Sequence, residues 1–249
     1  MTGTQTHVDF WNEYYAEHAN NPQAQEWRAL CARVNGELIE QGLRATGHAA
    51  GRTIEIGCGD GALIIELVSR GLADSVVGYE ISETAAEYVR NRQLEGVEAV
   101  HAFDGVDLSG EPDDSYDLAV LSEVIEHAGQ PVELLGEARR LAHTVAVQVF
   151  LTDTLASRRR ANQQEEEKKL HRLNRFNVDS ARETLAAAGL KVVHDDVSQP
   201  SFVERTFWDR SPRSLAKESV VEVFQRVPPV GRRLFGSTYT AICRRSRFA

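Results

Sequence analysis

Three closely spaced glycines are the feature of this sequence that says most about its chemistry. A β-branched run, Thr53 to Ile56, leads into Gly57, Gly59 and Gly61, and a helical segment comes after them. Glycine at such positions permits a tight turn with positive φ and leaves the backbone amides open to a ligand. The same turn can also serve only to pack a helix closely on a strand. We predict that a nucleotide-like ligand lies against it, because acidic residues stand at the ends of the next two candidate strands.

The two acids have the positions that a nucleotide would need. Glu80 comes nineteen residues after Gly61, where a carboxylate can accept hydrogen bonds from both hydroxyls of an unphosphorylated ribose. Asp104 comes after the third strand and could accept a hydrogen bond from an adenine amino group. Either acid alone could be a solvated strand end. Together with the glycine turn, they predict a nucleotide site at the carboxyl edge of a parallel sheet.

These motifs resemble those of the class I S-adenosylmethionine-dependent methyltransferases. The run from Glu55 to Gly61 is similar to the first motif of that family, Glu80 to its ribose-binding acid, Asp104 to its adenine-edge acid, and 115–120 to its fourth motif. Dinucleotide-binding folds favour G-x-G-x-x-G, whereas the third glycine comes one residue early here. The resemblance implies S-adenosylmethionine as cofactor, with contacts from Glu55, Gly57, Cys58, Gly59, Glu80, Ile81, Asp104, Gly105 and Ser122.

The run E-x-x-E-H after the fourth candidate strand supplies the catalytic candidates Glu123, Glu126 and His127. They would stand on neighbouring faces of a turn, where they could converge on a divalent metal ion. Without a metal, His127 is the preferred general base, because its ordinary pKa of about 6.5 suits proton abstraction at neutral pH. Many metal-free methyltransferases carry the same run, with the acids binding backbone amides at a helix start.

The same run resembles two groups of enzymes, the O-methyltransferases of ubiquinone biosynthesis and the small-RNA 2′-O-methyltransferases, and both hold a metal near the acceptor hydroxyl. The stretch from His171 to Phe176 is similar to a His-x-x-x-basic-Phe stretch of the quinone enzymes. It makes His171 a fourth candidate metal ligand. The RNA enzymes have a ligand histidine where this chain has Asn174, which disfavours the RNA interpretation.

Acceptor recognition is expected from segments outside the regular strand and helix alternation. In the N-terminal segment, Trp11, Tyr14 and Tyr15 could close over the sulfonium or the acceptor, since aromatic faces attract cations. They could equally form a hydrophobic staple. His171, together with Phe202 and Arg205 of a late insertion, completes the candidate substrate contacts.

The elements predicted around these motifs form an α/β fold, a Rossmann-like seven-stranded sheet with helices on both faces. The candidate strands are 52–56, 75–81, 97–103, 116–121, 144–151, 191–197 and 238–244, and the helices between them are 61–70, 83–94, 132–141 and 179–188. Pro131 fits a first helical turn, Asp179 is the predicted cap of the last helix, and Gly189 ends it. The resemblance implies that the last strand lies antiparallel between its neighbours.

One domain covering 1–249 is the predicted organisation, since a single α/β domain often reaches this size. Within it we expect an N-terminal helical cap over 1–45. A charged helix or lid is predicted over 157–176. A late insertion for substrate recognition covers 198–236, because that much extra chain between two strands normally has a function.

Composition excludes several classes of protein. Hydrophobic residues make up 42% and charged residues 26%, as in globular proteins, and the apolar run 145–151 is too short to cross a bilayer. The polar N-terminus lacks a signal-peptide core, so we expect a soluble, cytoplasmic protein without a membrane span. The three cysteines have no C-x-x-C spacing, which argues against disulfide frameworks and zinc-thiolate clusters.

Charge is distributed unevenly along the chain. Residues 1–150 hold 25 Asp and Glu but 9 Lys and Arg, whereas residues 151–249 hold 12 and 19. The basic half is either a solvated helical surface or a binding surface for an acidic acceptor.

The sequence therefore predicts methyl transfer from S-adenosylmethionine to a small-molecule acceptor, at a hydroxyl, by in-line displacement with His127 as general base or metal ligand. The first alternative is an enzyme that uses the same cofactor for another reaction, such as cyclisation. The second is an RNA 2′-O-methyltransferase or RNA-binding module, which the lack of interleaved aromatic RNA-binding motifs disfavours. The oligomeric state is left open.

Overall fold

The computed structural model describes residues 3–152, 171–198 and 237–246. Most of the predicted charged helix, 157–170, and nearly all of the late insertion, 199–236, lie outside the described residues. Phe202 and Arg205, two of the candidate substrate contacts, therefore also lie outside them.

The described residues build a seven-stranded sheet, which confirms the predicted fold class. Each predicted strand is present, and the ends differ from the predicted ones by two residues at most. The strands are β1 (Arg52–Ile56), β2 (Ser75–Glu80), β3 (Val97–Ala102), β4 (Tyr116–Ser122), β5 (Ala142–Phe150), β6 (Leu190–Ser198) and β7 (Thr238–Arg245).

The order of the strands across the sheet is β3-β2-β1-β4-β5-β7-β6. The first five strands pair in parallel, and β7 runs antiparallel between β5 and β6, as the resemblance implies. The chain order reverses between β1 and β4, and a crevice opens outside the carboxyl ends of the strands at such a point. The topology therefore brings the glycine turn after β1 and the E-x-x-E-H run after β4 to one place.

After two helices at the N-terminal end, a helix of the described residues follows each of β1, β2, β4 and β5, whereas β3 leads to β4 without a helix. The helices of the described residues are α1 (Gly3–His18), α2 (Pro22–Ala45), α3 (Ala62–Ser69), α4 (Glu83–Arg92), α5 (Pro131–Leu141) and α6 (Val178–Ala187). Pro131 begins α5 as predicted, and Gly189 adopts a φ of 75° just after α6.

The predicted cap of α6 is wrong. Asn177, not Asp179, precedes the helix with extended backbone, and its side chain accepts a hydrogen bond from the Ser180 amide at 2.8 Å. The Ser180 hydroxyl in turn accepts from the Asn177 amide at 3.0 Å. This reciprocal pair satisfies two amide groups at once, so Asn177 is the better cap, and Asp179 adds negative charge to the first turn.

Helices cover both faces of the sheet. Alternate strand residues point to opposite faces, so Ile54 and Leu121 belong to a core with α5 and α6, whereas Leu118 and Val120 belong to a core with α2, α3 and α4. Such residues on both faces explain why the central strands are predominantly apolar. Among the described residues, no helix has the length and apolarity that crossing a bilayer would need.

Helix α1 reaches the carboxyl edge of the sheet and is attached there by a polar side chain. The Asn12 side-chain oxygen accepts hydrogen bonds from the Ser82 hydroxyl at 2.9 Å and from the Thr84 amide at 3.3 Å, at the start of α4. This attachment places the aromatic side chains of α1 over the crevice.

Candidate functional site

A cavity of about 950 Å³ occupies the crevice at the carboxyl ends of β1, β2 and β4. Helices α1 and α2 contribute its other walls. All of the residues predicted to contact a nucleotide cofactor line this cavity, namely Glu55, Gly57, Cys58, Gly59, Glu80, Ile81, Asp104, Gly105 and Ser122. The sheet thus brings together residues that are almost seventy positions apart in the sequence.

The glycine turn needs glycine for its conformation and for close approach. Gly57 and Gly59 have φ of 77° and 53°, in the left-handed region that favours glycine. A Cβ atom on Gly57 would lie 2.5 Å from a Val124 methyl group, and one on Gly59 would lie 2.6 Å from the Tyr15 hydroxyl. The turn is therefore packed against the β4 loop on one side and α1 on the other.

Glu80 lies at the floor of the cavity, with 4% of its surface exposed. One carboxylate oxygen accepts from the Gly59 amide at 2.8 Å and the other from the Ser82 amide at 3.0 Å. Burial raises the pKa of this carboxyl, and the backbone hydrogen bonds oppose that shift. Each oxygen retains a lone pair, so Glu80 can accept two further hydrogen bonds from a ligand.

Two further ionisable side chains reach the cavity with unused hydrogen-bonding atoms. Glu55 is 2% exposed, and its Oε2 has no hydrogen-bond partner within the described parts of the chain. Burial raises its pKa well above the ordinary value. The Arg28 Nε donates to Asp60 at 2.6 Å, while its buried Nη1 has no partner among the same residues. An acceptor and a donor are thus both available to a zwitterionic ligand group.

Asp104 stands at the rim of the cavity and organises its own loop. Its Oδ1 accepts from the amides of Val106 at 2.9 Å and Asp107 at 2.8 Å. The side chain of Phe103 and the backbone of Gly105, with a φ of 98°, form the adjoining wall. One edge of the cavity therefore combines an aromatic face with an acid.

The E-x-x-E-H run forms a turn in which the three candidate catalytic side chains diverge. Glu123 and His127 line the cavity, whereas Glu126 does not. Glu126 is 1% exposed, and its Oε1 accepts from the Phe150 amide at the end of β5. Burial, assisted by Glu123, raises the pKa of Glu126 to about 8. Glu126 therefore ties the turn to the sheet as a protonated carboxyl at neutral pH.

His127 presents a neutral imidazole to the cavity. Its Nδ1 lies 3.3 Å from the His171 carbonyl oxygen, which can only accept, so Nδ1 carries the proton and Nε2 has a free lone pair. The ring meets Trp11 edge to face, with centroids 5.1 Å apart. Burial lowers the pKa of His127 to about 4, well below the ordinary value for histidine.

The predicted metal centre does not form among the residues that can be described. No group of three or more His, Cys, Asp or Glu side chains there could hold a metal ion. Glu126 binds a backbone amide instead, and the His171 ring stacks on Phe10 with centroids 4.1 Å apart. Glu123 and His127 alone reach the cavity, so the four candidate ligands do not fit a divalent ion.

The family comparison agrees with this geometry. A family model described as a methyltransferase domain matches residues 15–195, which is well over half of the chain and contains nearly all the cavity residues. The chain belongs to this methyltransferase family. It is a class I S-adenosylmethionine-dependent methyltransferase, as the motifs imply. No curated protein matches the chain.

Solved structures with the fold of this methyltransferase include proteins of several activities. An S-adenosylmethionine-dependent methyltransferase from Thermotoga maritima is 19% identical, with a TM-score of 0.61, and the match covers 96% of this chain and 99% of that one. A chain from a Haloferax volcanii complex of the Trm112 activator with a methyltransferase is 18% identical, with a TM-score of 0.58, over 86% and 94%. The 4+2 cyclase SpnF is 16% identical, with a TM-score of 0.56, over 85% and 80%. At these identities the likeness concerns the fold.

The predicted acceptor contacts of the methyltransferase are only partly brought together. Trp11, Tyr14 and Tyr15 of α1 line the cavity, whereas the His171 side chain lies outside its lining. Tyr15 is partly exposed, but burial of its hydroxyl raises the pKa of that group well above the ordinary value. The α1 aromatics therefore form one wall of the site as well as packing α1 on the sheet.

Sequence reasoning missed several residues of the methyltransferase cavity. Asn35 on α2 donates to the Ser122 hydroxyl at 3.3 Å, and that hydroxyl donates to Gln148 at 2.8 Å. Arg28 and Arg172 also line the cavity. Arg28 and Asn35 have no local motif, because each reaches the site through long-range packing, and the amphipathic pattern of α2 does not identify which polar residue faces a ligand. Arg172 lies within the stretch from His171 to Phe176, but the resemblance of that stretch pointed to His171 instead.

Proposed function

We propose that this methyltransferase transfers a methyl group from S-adenosylmethionine to a hydroxyl of a small-molecule acceptor, with His127 as general base. One observation carries the proposal: a single cavity is lined by the glycine turn, Glu80 and the neutral imidazole of His127. A cofactor held at the turn would have its reactive end within the same enclosed space as a base.

The residues around the turn fit S-adenosylmethionine. Glu80 would accept hydrogen bonds from the ribose hydroxyls with its remaining lone pairs, and the wall at Phe103 and Asp104 would take the adenine. Arg28 Nη1 and Glu55 Oε2 would pair with the carboxylate and ammonium of the methionine end. That pairing would also offset the cost of burying the Glu55 charge.

The cofactor supplies an activated methyl group on a sulfonium, so the protein must position the acceptor, remove its proton and exclude water. His127 would take the hydroxyl proton on Nε2, while the Nδ1 hydrogen bond to the His171 carbonyl fixes the ring orientation. Because its pKa is about 4, the imidazole stays neutral throughout the physiological range. Trp11 and Tyr15 on α1 would cover the reacting groups.

Two features support an oxygen acceptor and a small substrate. The E-x-x-E-H run is similar to that of the ubiquinone-biosynthesis O-methyltransferases. The cavity is also enclosed by α1 and α2, which suits a small molecule better than a nucleic acid backbone. The chain would act as one domain, in which the helices within residues 1–45 form a cap over the site.

A labelled-methyl assay tests the proposal. The protein is incubated with S-adenosylmethionine carrying a ¹³C-methyl group and a panel of small hydroxylated compounds, and the products are examined by NMR. We expect signals of O-methyl carbons with wild type and a loss of about 10²-fold or more in rate with His127→Gln. The matched control is His143→Gln, because His143 is an exposed residue outside the cavity.

The alternatives give different results in the same assay. Label found on nitrogen or carbon would contradict the choice of oxygen. Consumption of the cofactor without any acceptor would support a cyclisation-type reaction, and methyl transfer only to RNA, with affinity that falls steeply with salt, would support the RNA alternative.

A further inference from the structure

Arg172 brings a positive charge to the acceptor end of the cavity. Its side chain lines the cavity together with His127 and Phe150, and its guanidinium carbon lies 4.2 Å from the centre of the Phe150 ring. A guanidinium stacked on an aromatic ring keeps its edge and its N–H groups available to a ligand.

The backbone next to Arg172 is fixed to the turn that carries His127. The amides of Leu173 and Asn174 both donate to the Glu126 carbonyl oxygen, at 2.8 and 2.9 Å. The Asn174 side-chain amide donates to the carbonyls of Ile125 at 3.0 Å and Ala128 at 2.7 Å. Arg172 therefore has a defined position relative to His127.

Arg172 forms no ion pair in the parts of the chain that the structure describes, although Glu126 lies near enough to interact with its charge. The buried Nε of Arg172 has no hydrogen-bond partner there. Glu126 is the buried acid of the neighbouring turn. The charge of Arg172 lowers its pKa, but burial outweighs that effect and keeps the pKa at about 8, so Glu126 is mainly uncharged at neutral pH. Glu123 is exposed. A partly buried cation without a partner is costly, and an anionic ligand would remove that cost.

We propose that Arg172 binds a carboxylate of the acceptor, so that the substrate is a hydroxylated carboxylic acid whose hydroxyl lies at His127. This inference rests on the proposed function. A carboxylate matches the single charge and the planar fork of one guanidinium. A phosphate would call for a second cation. Arg28 also lines the cavity, but it is paired with Asp60, and its remaining Nη1 would bind the carboxylate of the cofactor.

Binding of matched acids and esters tests the role of Arg172. The protein saturated with S-adenosylhomocysteine is titrated by calorimetry with hydroxybenzoates, with the methyl esters of the same acids and with hydroxyphenyl phosphates. Aromatic probes are chosen because Trp11 and Phe150 line the cavity. The variants are Arg172→Gln and Arg172→Lys. The control is Arg175→Gln, which removes an exposed arginine that is not in the cavity lining.

We expect wild type and Arg175→Gln to bind at least one acid about 10- to 100-fold more tightly than its ester, since hydrogen bonds to charged groups are the strong ones. Arg172→Gln should bring that ratio close to one while S-adenosylhomocysteine still binds as in wild type. Arg172→Lys should keep a smaller preference, because an ammonium lacks the planar fork.

Three results would overturn the inference: no acid bound by wild type more tightly than its ester, an unchanged ratio in Arg172→Gln, or a preference for the phosphates. Failure of folded wild type to bind S-adenosylhomocysteine would instead contradict the proposed function. The two failures are therefore distinguishable.

Discussion

Replacement of Glu80 by glutamine tests the cofactor site with little change of shape. The wild-type carboxylate accepts hydrogen bonds from the amides of Gly59 and Ser82, and both of its oxygens are needed for this. In Glu80→Gln one oxygen becomes an NH₂ group. That group faces an amide donor and cannot accept, so one protein hydrogen bond is lost together with the negative charge.

The two consequences of this substitution for stability oppose each other. Loss of one intramolecular hydrogen bond costs about 1 kcal/mol. Burial raises the pKa of Glu80, so the ionised carboxylate is less favourable in the folded protein than in water, and an uncharged side chain removes that cost. We therefore expect the free energy of unfolding of the ligand-free protein to change by no more than about 1 kcal/mol.

Cofactor affinity should respond much more strongly than stability. Two ribose hydroxyls would lose a charged acceptor, and hydrogen bonds to charged groups contribute about 1.5–3 kcal/mol, which corresponds to about a 10- to 150-fold rise in Kd. Calorimetric titration with S-adenosylhomocysteine measures this directly. The matched control is Glu87→Gln on α4, an exposed position outside the cavity, which should leave Kd unchanged. A Kd for Glu80→Gln within about threefold of wild type would refute the ribose-binding role.

Three further predictions concern the base, the glycine turn and the backbone attachment. Because the pKa of His127 in the folded protein is lowered to about 4, the base stays neutral as the pH falls, and kcat/KM should decrease only near pH 4. A decrease of kcat/KM centred near the ordinary histidine pKa of about 6.5 would contradict this. Gly59→Ala and Gly71→Ala both place alanine at positive φ, which costs about 1–2 kcal/mol, but only the alanine at position 59 would meet the Tyr15 hydroxyl. Thermal unfolding should therefore show a larger loss of stability for Gly59→Ala than for Gly71→Ala. Adding Tyr15→Phe should reduce the loss caused by Gly59→Ala. Equal losses would count against the contact. Asn174→Ala should lower the free energy of unfolding by about 1–3 kcal/mol, because two backbone carbonyls lose their donor, and an unchanged denaturant midpoint would exclude that role.

Much of the fold was predictable because its signals are local. The strand that ends at Ile56 and the glycine turn after it indicate a βα unit, and the alternation of strand and helix patterns predicts a parallel sheet. The antiparallel place of β7 came from the family resemblance, since no local pattern specifies which strands it pairs with. The cap of α6 was misplaced by two residues because Asn177 and Asp179 are both good cap residues, and only the geometry of the chain distinguishes them.

The cofactor side of the site was more predictable than the acceptor side. The glycine turn, Glu80 and Asp104 each lie at the end of a strand, so one topological rule brings them to the same edge. Glu126 and His127 are adjacent in the sequence, yet one binds the Phe150 amide and the other faces the cavity. Sequence spacing suggested that they converge. Side-chain direction in a turn depends on backbone geometry that spacing alone does not specify.

The shifted pKa values of His127 and Glu126 could not be predicted from residue types either. The ordinary pKa of histidine made His127 an attractive base, but burial lowers its pKa to about 4. Burial acts in the opposite direction on the pKa of Glu126, because in both cases it disfavours the charged form. Both shifts result from long-range packing around the turn, including the contact between Trp11 and the His127 ring.

A crystal structure of the protein with S-adenosylhomocysteine and a hydroxylated acid is the most direct test of the central claim, that one cavity holds the cofactor at the glycine turn and the acceptor hydroxyl at His127. We predict that the ribose hydroxyls contact Glu80 and that the acceptor hydroxyl lies about 2.6–3.2 Å from His127 Nε2, facing the cofactor sulfur. A cofactor bound away from Glu80, or an acceptor hydroxyl far from His127, would contradict the account.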